Sequence, residues 1–178
     1  DICGHEFTHG VTEHTAGLLY LNESGALNES FSDIFGTTVE FYAKPGSADW
    51  LIGADRGPSA INRSMAEPNL YSQPDTYLGT SWYSGLGDNG GVHYNSGVQN
   101  YWFYLLSVGG SGTNDNGDLY NVTGISIDSA ASIAYRTLST YLGPNSKYVD
   151  ARFYSIIAAT DLFGECSSEV ESVTEAWY

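Results

Sequence analysis

Apolar positions recur at helical spacing over much of the chain and lose their period in between. Residues 1 to about 16 read as a helix that ends at Gly17. A second helix is expected over residues 24–44, with Ser24 as candidate cap and Pro45-Gly46 as stop. Leu27, Phe31, Ile34, Phe35 and Phe41 form its apolar face. Residues 45–92 are rich in Gly, Pro, Asn, Asp and Tyr and predict a long irregular region with at most short strands. A loop of that length in a compact domain is usually functional or stapled by an ion. Helix resumes near Asn95, runs to about Val108 and closes at Gly109-Gly110, and residues 111–124 read as turns. A further helix is expected over residues 128–142, stopped by Gly143-Pro144. The next spans 146–163, with Val149, Phe153, Ile156, Ile157 and Phe163 as its core-facing stripe. The last starts at Ser167 or Ser168 and buries Val170, Val173 and Trp177. The expected fold class is mainly α, one domain with long irregular loops.

Composition narrows the function. A chain of 178 residues with 42% apolar and 14% aromatic content can bury a real core and is not disordered. No run approaches the roughly 18 apolar residues a membrane helix needs, and no signal peptide or lipidation motif is visible within it. Only 6 basic residues stand against 21 acidic ones, a net charge of −15, so nucleic acid and anionic membranes are not expected partners. The acidity suits either a soluble secreted protein or a calcium binder. Cys3 and Cys166 could pair in an exported protein or remain buried thiols, and the sequence leaves both open.

The sharpest chemical signal is His5-Glu6-Phe7-Thr8-His9. Two histidines four apart on a helix lie about 40° apart around its axis, with Cβ atoms about 6 Å from each other. Both imidazoles can then reach one zinc ion. Glu6, beside the metal, can take a proton from water activated there. Catalytic zinc keeps three protein ligands and one open position. His14 is five residues past His9, about 140° off its direction, and points away. Glu29 is the better third ligand: it lies twenty positions after His9 on the second helix, which can return opposite the first. Asp33, one turn on, suits an acceptor that fixes a ligand imidazole from behind. In Asp88-Asn89-Gly90-Gly91-Val92-His93 the glycines imply a tight exposed turn presenting His93, with Asp88 placed to accept from it and favour its imidazolium form.

Together, His5-Glu6-x-x-His9, Asn28-Glu29-x-x-Ser32-Asp33 and Asn89-Gly90-Gly91-Val92-His93-x-Asn95-Ser96-Gly97 resemble the thermolysin-like neutral metalloproteases. Tyr20 in Gly17-Leu18-Leu19-Tyr20, Arg63 in Asn62-Arg63-Ser64-Met65 and Asp161-Leu162-Phe163-Gly164 fit as well. The resemblance implies that residues 1–178 are the C-terminal, mainly helical catalytic lobe, the family's β-rich N-terminal domain being absent from this chain. It implies zinc on His5, His9 and Glu29, with Glu6 as general base and proton shuttle. Asn28 and Asp33 would orient His9 and His5. His93 and Tyr20 would bind the oxyanion, Asp88 would orient His93, and Arg63 would bind a substrate carbonyl. It also implies one structural calcium at Asp1, Glu40 and Asp49, to which Leu51 could add only its backbone; Ala54 offers no acid, and the short loop to Arg63 argues against a further ion there.

The expectation is therefore a secreted, zinc-dependent endopeptidase domain acting on proteins or peptides. The alternatives are a zinc- and calcium-binding lobe that is inactive without its N-terminal domain, and a zinc aminopeptidase, for which no acidic site for a substrate amine is marked.

Overall fold

A computed structural model describes residues 1–177. Helix α1 (Ile2–Glu13) is capped by Asp1, whose side chain accepts from the Ile2 N–H. Helix α2 (Asn22–Ala43) is the central rod: every residue from 24 to 34 is buried, and it touches α1, α3, α4, α5 and α6. It begins at Asn22, so Ser24 is not its cap; the Ser24 hydroxyl instead donates to the Leu21 carbonyl at 2.9 Å.

The irregular region holds one minimal antiparallel pair, β1 (Leu51–Ile52) with β2 (Arg63–Ser64), in which Ile52 faces Arg63. Helix α3 (Asp88–Asn95) has an unusual first turn, with φ of 51° at Asp88, 50° at Asn89, 84° at Gly90 and 86° at Gly91. Four successive left-handed residues tolerate glycine, Asn and Asp best. A break at Ser96 leads into α4 (Gly97–Val108). Residues 111–124, expected as turns, form a hairpin of β3 (Gly110–Thr113) and β4 (Leu119–Val122), paired from Gly110↔Val122 to Thr113↔Leu119.

Helix α5 (Ile127–Arg136) widens into a π turn over Thr137–Tyr141, then α6 (Tyr148–Phe163) and α7 (Ser168–Ala176) close the lobe. The stripe expected to face the core on α6 does so only in part: Ile156 packs against the core, but Val149 is 70% and Phe153 59% exposed. The buried face is Tyr148, Ala151, Ser155, Ala158 and Ala159. Small side chains let α6 lie close against its neighbours, and that close packing outweighs the larger but unpartnered aromatic face. On α7, Val173 is fully buried while Val170 and Trp177 pack at the edge of the core. The core itself joins Leu27, Phe31 and Ile34 of α2 to Phe103 and Leu106 of α4, Ile133 of α5, and Met65. Cys3 and Cys166 are both free and exposed.

Candidate metal centre

Helices α1 and α2 meet at a glycine contact. A Cβ on Gly36 would stand 2.7 Å from the Asp1 carbonyl oxygen and 3.1 Å from the His5 nitrogen. Only glycine allows this approach, and the approach is what lets a carboxylate on α2 reach the histidines of α1.

At the crossing, one ligand atom each from His5, His9 and Glu29 lies within 4.8 Å of the others. The two Nε2 atoms are 3.1 Å apart. Glu29 Oε2 lies 3.5 Å from His5 Nε2 and Glu29 Oε1 3.4 Å from His9 Nε2. The hydrogen-bond network sets the tautomers. Asn28 donates Nδ2 to the Leu18 carbonyl at 3.1 Å, which leaves its Oδ1 to accept from His9 Nδ1 at 2.8 Å. Asp33 Oδ1 accepts from His5 Nδ1 at 2.8 Å. Burial alone raises the Asp33 carboxyl, but the Arg63 guanidinium and His5 outweigh it and hold it well below the usual carboxylate range. Asp33 is therefore an acceptor, and both rings carry their hydrogen on Nδ1. The Nε2 sides of two imidazoles thus converge with a carboxylate that is 1% exposed, and the hydrogens on both Nδ1 atoms point away from it. Glu29 Oε2 has no partner among the described residues. Such a cluster is costly unless a cation enters it, and two nitrogens with one carboxylate suit zinc. The donor set fits the metal.

The remaining residues surround this point. Arg63, expected to meet substrate, is buried and bidentate on Asp33, with Nε and Nη2 each at 2.8 Å. Tyr20 donates its hydroxyl to Glu29 Oε1 and lies 3.2 Å from His93 Nε2. Burial first, then the Glu29 carboxylate, raises the Tyr20 hydroxyl and keeps it protonated. Asp88 takes both donors of His93, Nδ1 at 2.6 Å and the backbone N–H at 2.8 Å, across the left-handed turn. Glu6 is exposed on α1 and shares an open pocket with His9, Glu13, Leu18, Tyr20 and Asn28. His14 is exposed and folds back 2.8 Å from the Gly10 carbonyl.

A second cavity, about 380 Å³, lies among Tyr101, Tyr120, Tyr148 and Trp177. Its hydroxyls are already used, Tyr101 with Tyr120 at 2.9 Å and Tyr148 on the Asn95 carbonyl at 2.6 Å. His5, His9 and Glu29 do not line it.

The carboxylates expected to hold calcium gather in a different combination. Asp1, Glu40 and Asp55 converge within 4.8 Å, while Asp49 turns its Oδ1 onto the Leu51 N–H at 2.8 Å. Asp55 thus joins Asp1 and Glu40 as a converging carboxylate, and Asp49 closes one oxygen locally on the backbone. Sequence reasoning also missed Asn100, which donates to Asp33 at 2.9 Å from 67 positions away and carries no local signal.

The family model for the thermolysin metallopeptidase alpha-helical domain matches residues 16–178. This chain belongs to the thermolysin metallopeptidase family. Thermolysin of Alicyclobacillus acidocaldarius is 49% identical over 99% of the chain, and bacillolysin of Bacillus cereus 44% identical over 99%. The chain spans 32% and 31% of those two relatives. In structure it is similar to the precursor of protealysin, a metalloproteinase from Serratia proteamaculans, with a TM-score of 0.77 and 32% identity, covering 98% of this chain and 55% of that one. The mainly α architecture is thus that of the thermolysin helical domain. Among the described residues no helix is long and apolar enough to cross a membrane.

Proposed function

We propose that this chain is the zinc-binding half of an extracellular metalloendopeptidase that hydrolyses peptide bonds by attack of an activated water. The observation that carries the reading is the convergence of His5 Nε2, His9 Nε2 and the buried, partnerless Glu29 Oε2. Zinc held by these three would bring the pKa of water toward about 7.

The chain's own groups divide the remaining work. Glu6, on the exposed side of α1 beside His9, takes the proton of the attacking water and passes it to the leaving amine. Tyr20 and His93 donate hydrogen bonds to the oxyanion as the carbonyl becomes tetrahedral. Asp88 takes the Nδ1 hydrogen of His93 and so fixes which way the ring turns, with Nε2 on the side of Tyr20 and Glu29. Arg63 holds Asp33 ionised, and through Asp33 keeps the His5 lone pair aimed inward; a substrate carbonyl would meet the outer edge of the same guanidinium.

A β-rich domain preceding α1 would form the other wall of the substrate cleft. The exposed face of α1 supports this, since Phe7 is 79% exposed next to Glu6. One calcium would bind at Asp1, Glu40 and Asp49 with the Leu51 backbone, and Asp55 converges on Asp1 and Glu40 as a further carboxylate.

Metal analysis of the folded protein tests the reading: about one zinc per chain is expected, and none would reject the site. Glu6→Ala should keep the zinc and lower turnover at least about 100-fold in the active form. Retained turnover removes Glu6 as the base. Cleavage of a peptide by this chain alone, compared with the chain joined to its preceding domain, separates an autonomous enzyme from a lobe that needs its partner.

A further inference from the structure

Three buried polar side chains grip the helix that carries His93. Only residues 92–95 of α3 are right-handed, a single turn that leads through Ser96 into α4. Gln73, 2% exposed, donates Nε2 to the His93 carbonyl at 2.6 Å and reaches Ser96 Oγ at 3.2 Å. Its amide must face that way, because the group opposite can only accept. As a result Gln73 Oε1 is buried with no partner among the described residues, an arrangement that costs stability. Asn95 clasps Tyr83 twice, accepting from its N–H at 2.9 Å and donating to its carbonyl at 3.0 Å. The Asn95 carbonyl in turn accepts from the Tyr148 hydroxyl at 2.6 Å. Tyr148 gives its own N–H to Glu23 at 3.1 Å, on the first turn of α2, the helix that carries Glu29. The turn bearing His93 is thereby tied to two loops and to the metal-ligand helix.

We propose that Gln73, Asn95 and Tyr148 are positioning residues for His93, and that the stranded amide oxygen of Gln73 is tolerated because its nitrogen fixes where His93 Nε2 stands. The inference rests on the reading of His93 as a donor to the oxyanion. The His93 ring is half exposed and touches Asp88, Tyr20 and Glu29, so its placement depends on its backbone. A displacement of about 1 Å at such a group costs up to about 100-fold in rate. Because the oxyanion exists only in the transition state, the loss falls on kcat and spares KM.

The test is Gln73→Met in the intact, zinc-loaded enzyme, since methionine matches the length and removes the stranded oxygen. We expect kcat about tenfold lower, KM unchanged, zinc content unchanged, and a melting temperature within about 4 °C of the parent. An unchanged kcat overturns the proposal, as does a loss of kcat that follows a loss of zinc or of folded protein. His93→Phe is measured alongside. If its kcat is unimpaired, the reading of His93 fails; if it is impaired while Gln73→Met is not, the positioning role alone fails. Should Gln73→Met not fold, Tyr148→Phe, which removes one hydroxyl from the Asn95 carbonyl, is read the same way: a loss in kcat alone supports the role and an unchanged kcat overturns it.

Discussion

Two groups of acceptors converge in this molecule, and the protein serves them differently. At His5, His9 and Glu29, both ring hydrogens are drawn outward by Asn28 and Asp33, and while Glu29 Oε1 accepts from Tyr20, Oε2 has no hydrogen-bond donor among the described residues. At Asp1, Glu40 and Asp55, donors are already in place. Asp1 accepts from the Ile2 N–H at 2.5 Å and from the Gly53 N–H, and Asp55 accepts from Lys44. The first group is largely buried, while Asp55 is exposed. Converging carboxylates at a surface are easily neutralised by water or a lysine. Converging acceptors in the interior with too few donors are costly to bury, and a cation offsets that cost. A shortage of donors, more than proximity of acids, is what favours a metal at the first group.

The largest expected effect comes from attacking what keeps that shortage in place. Asp33→Ala strands the buried Arg63 guanidinium and frees the His5 ring. Breaking a buried pair in this way costs about 3–5 kcal/mol, read by urea denaturation, with zinc content falling alongside. A loss below about 1 kcal/mol would show the cradle to be no better prepared than a surface pair. Acid probes the same group. Its folded carboxyl lies below the unfolded value of about 3.9. The stability it contributes is therefore complete above about pH 4 and is lost as pH falls through the lower folded value. Unfolding free energy should drop steeply below about pH 4 in the parent and less steeply in Asp33→Asn.

A smaller effect is expected at the helix crossing. Gly36→Ala drives a methyl into the backbone of Asp1 and His5, so α1 and α2 must part. Overpacking of this kind costs about 1–3 kcal/mol. Both clusters have a member at this end of α1, but their tolerance differs. Zinc needs near-tetrahedral ligands, whereas calcium accepts variable oxygen geometry. Zinc affinity should fall at least about tenfold, while the calcium-dependent rise in melting temperature persists. Equal losses at both would erase the contrast.

These two sites were unequally legible in the sequence. The spacing of His5 and His9 is local, and one helical turn determines how their side chains lie relative to each other. Asp33 is legible for the same reason, one turn from Glu29. Asn100 is not, because its bond to Asp33 joins α4 to α2 across 67 positions. Asp49 and Asp55 are equally acidic in the sequence, and only the local closure of Asp49 on Leu51 separates them. On α6 the period of 3.6 was legible but its phase was not, since one stripe is large and aromatic and the opposite one small, and the small one packs. The paired glycines announced a turn before His93, but not that Asp88 and Asn89 would be left-handed too.

The smallest expected effect is the most selective. Lys44 and Asp55 form an exposed pair, each side chain about half open to solvent. Lys44→Met should leave the melting temperature without calcium unchanged, since exposed pairs contribute little. Calcium binding at this cluster must displace the ammonium from Asp55, so removing the lysine removes a competitor. The calcium-dependent rise in melting temperature, which grows with the ratio of ion to dissociation constant, should then be larger in Lys44→Met than in the parent, and smaller in Asp55→Asn. Zinc content should be the same in all three, because none of these changes touches His5, His9, Glu29 or the residues behind them. An identical calcium response in all three proteins would mean that Asp55 and Lys44 take no part in binding an ion.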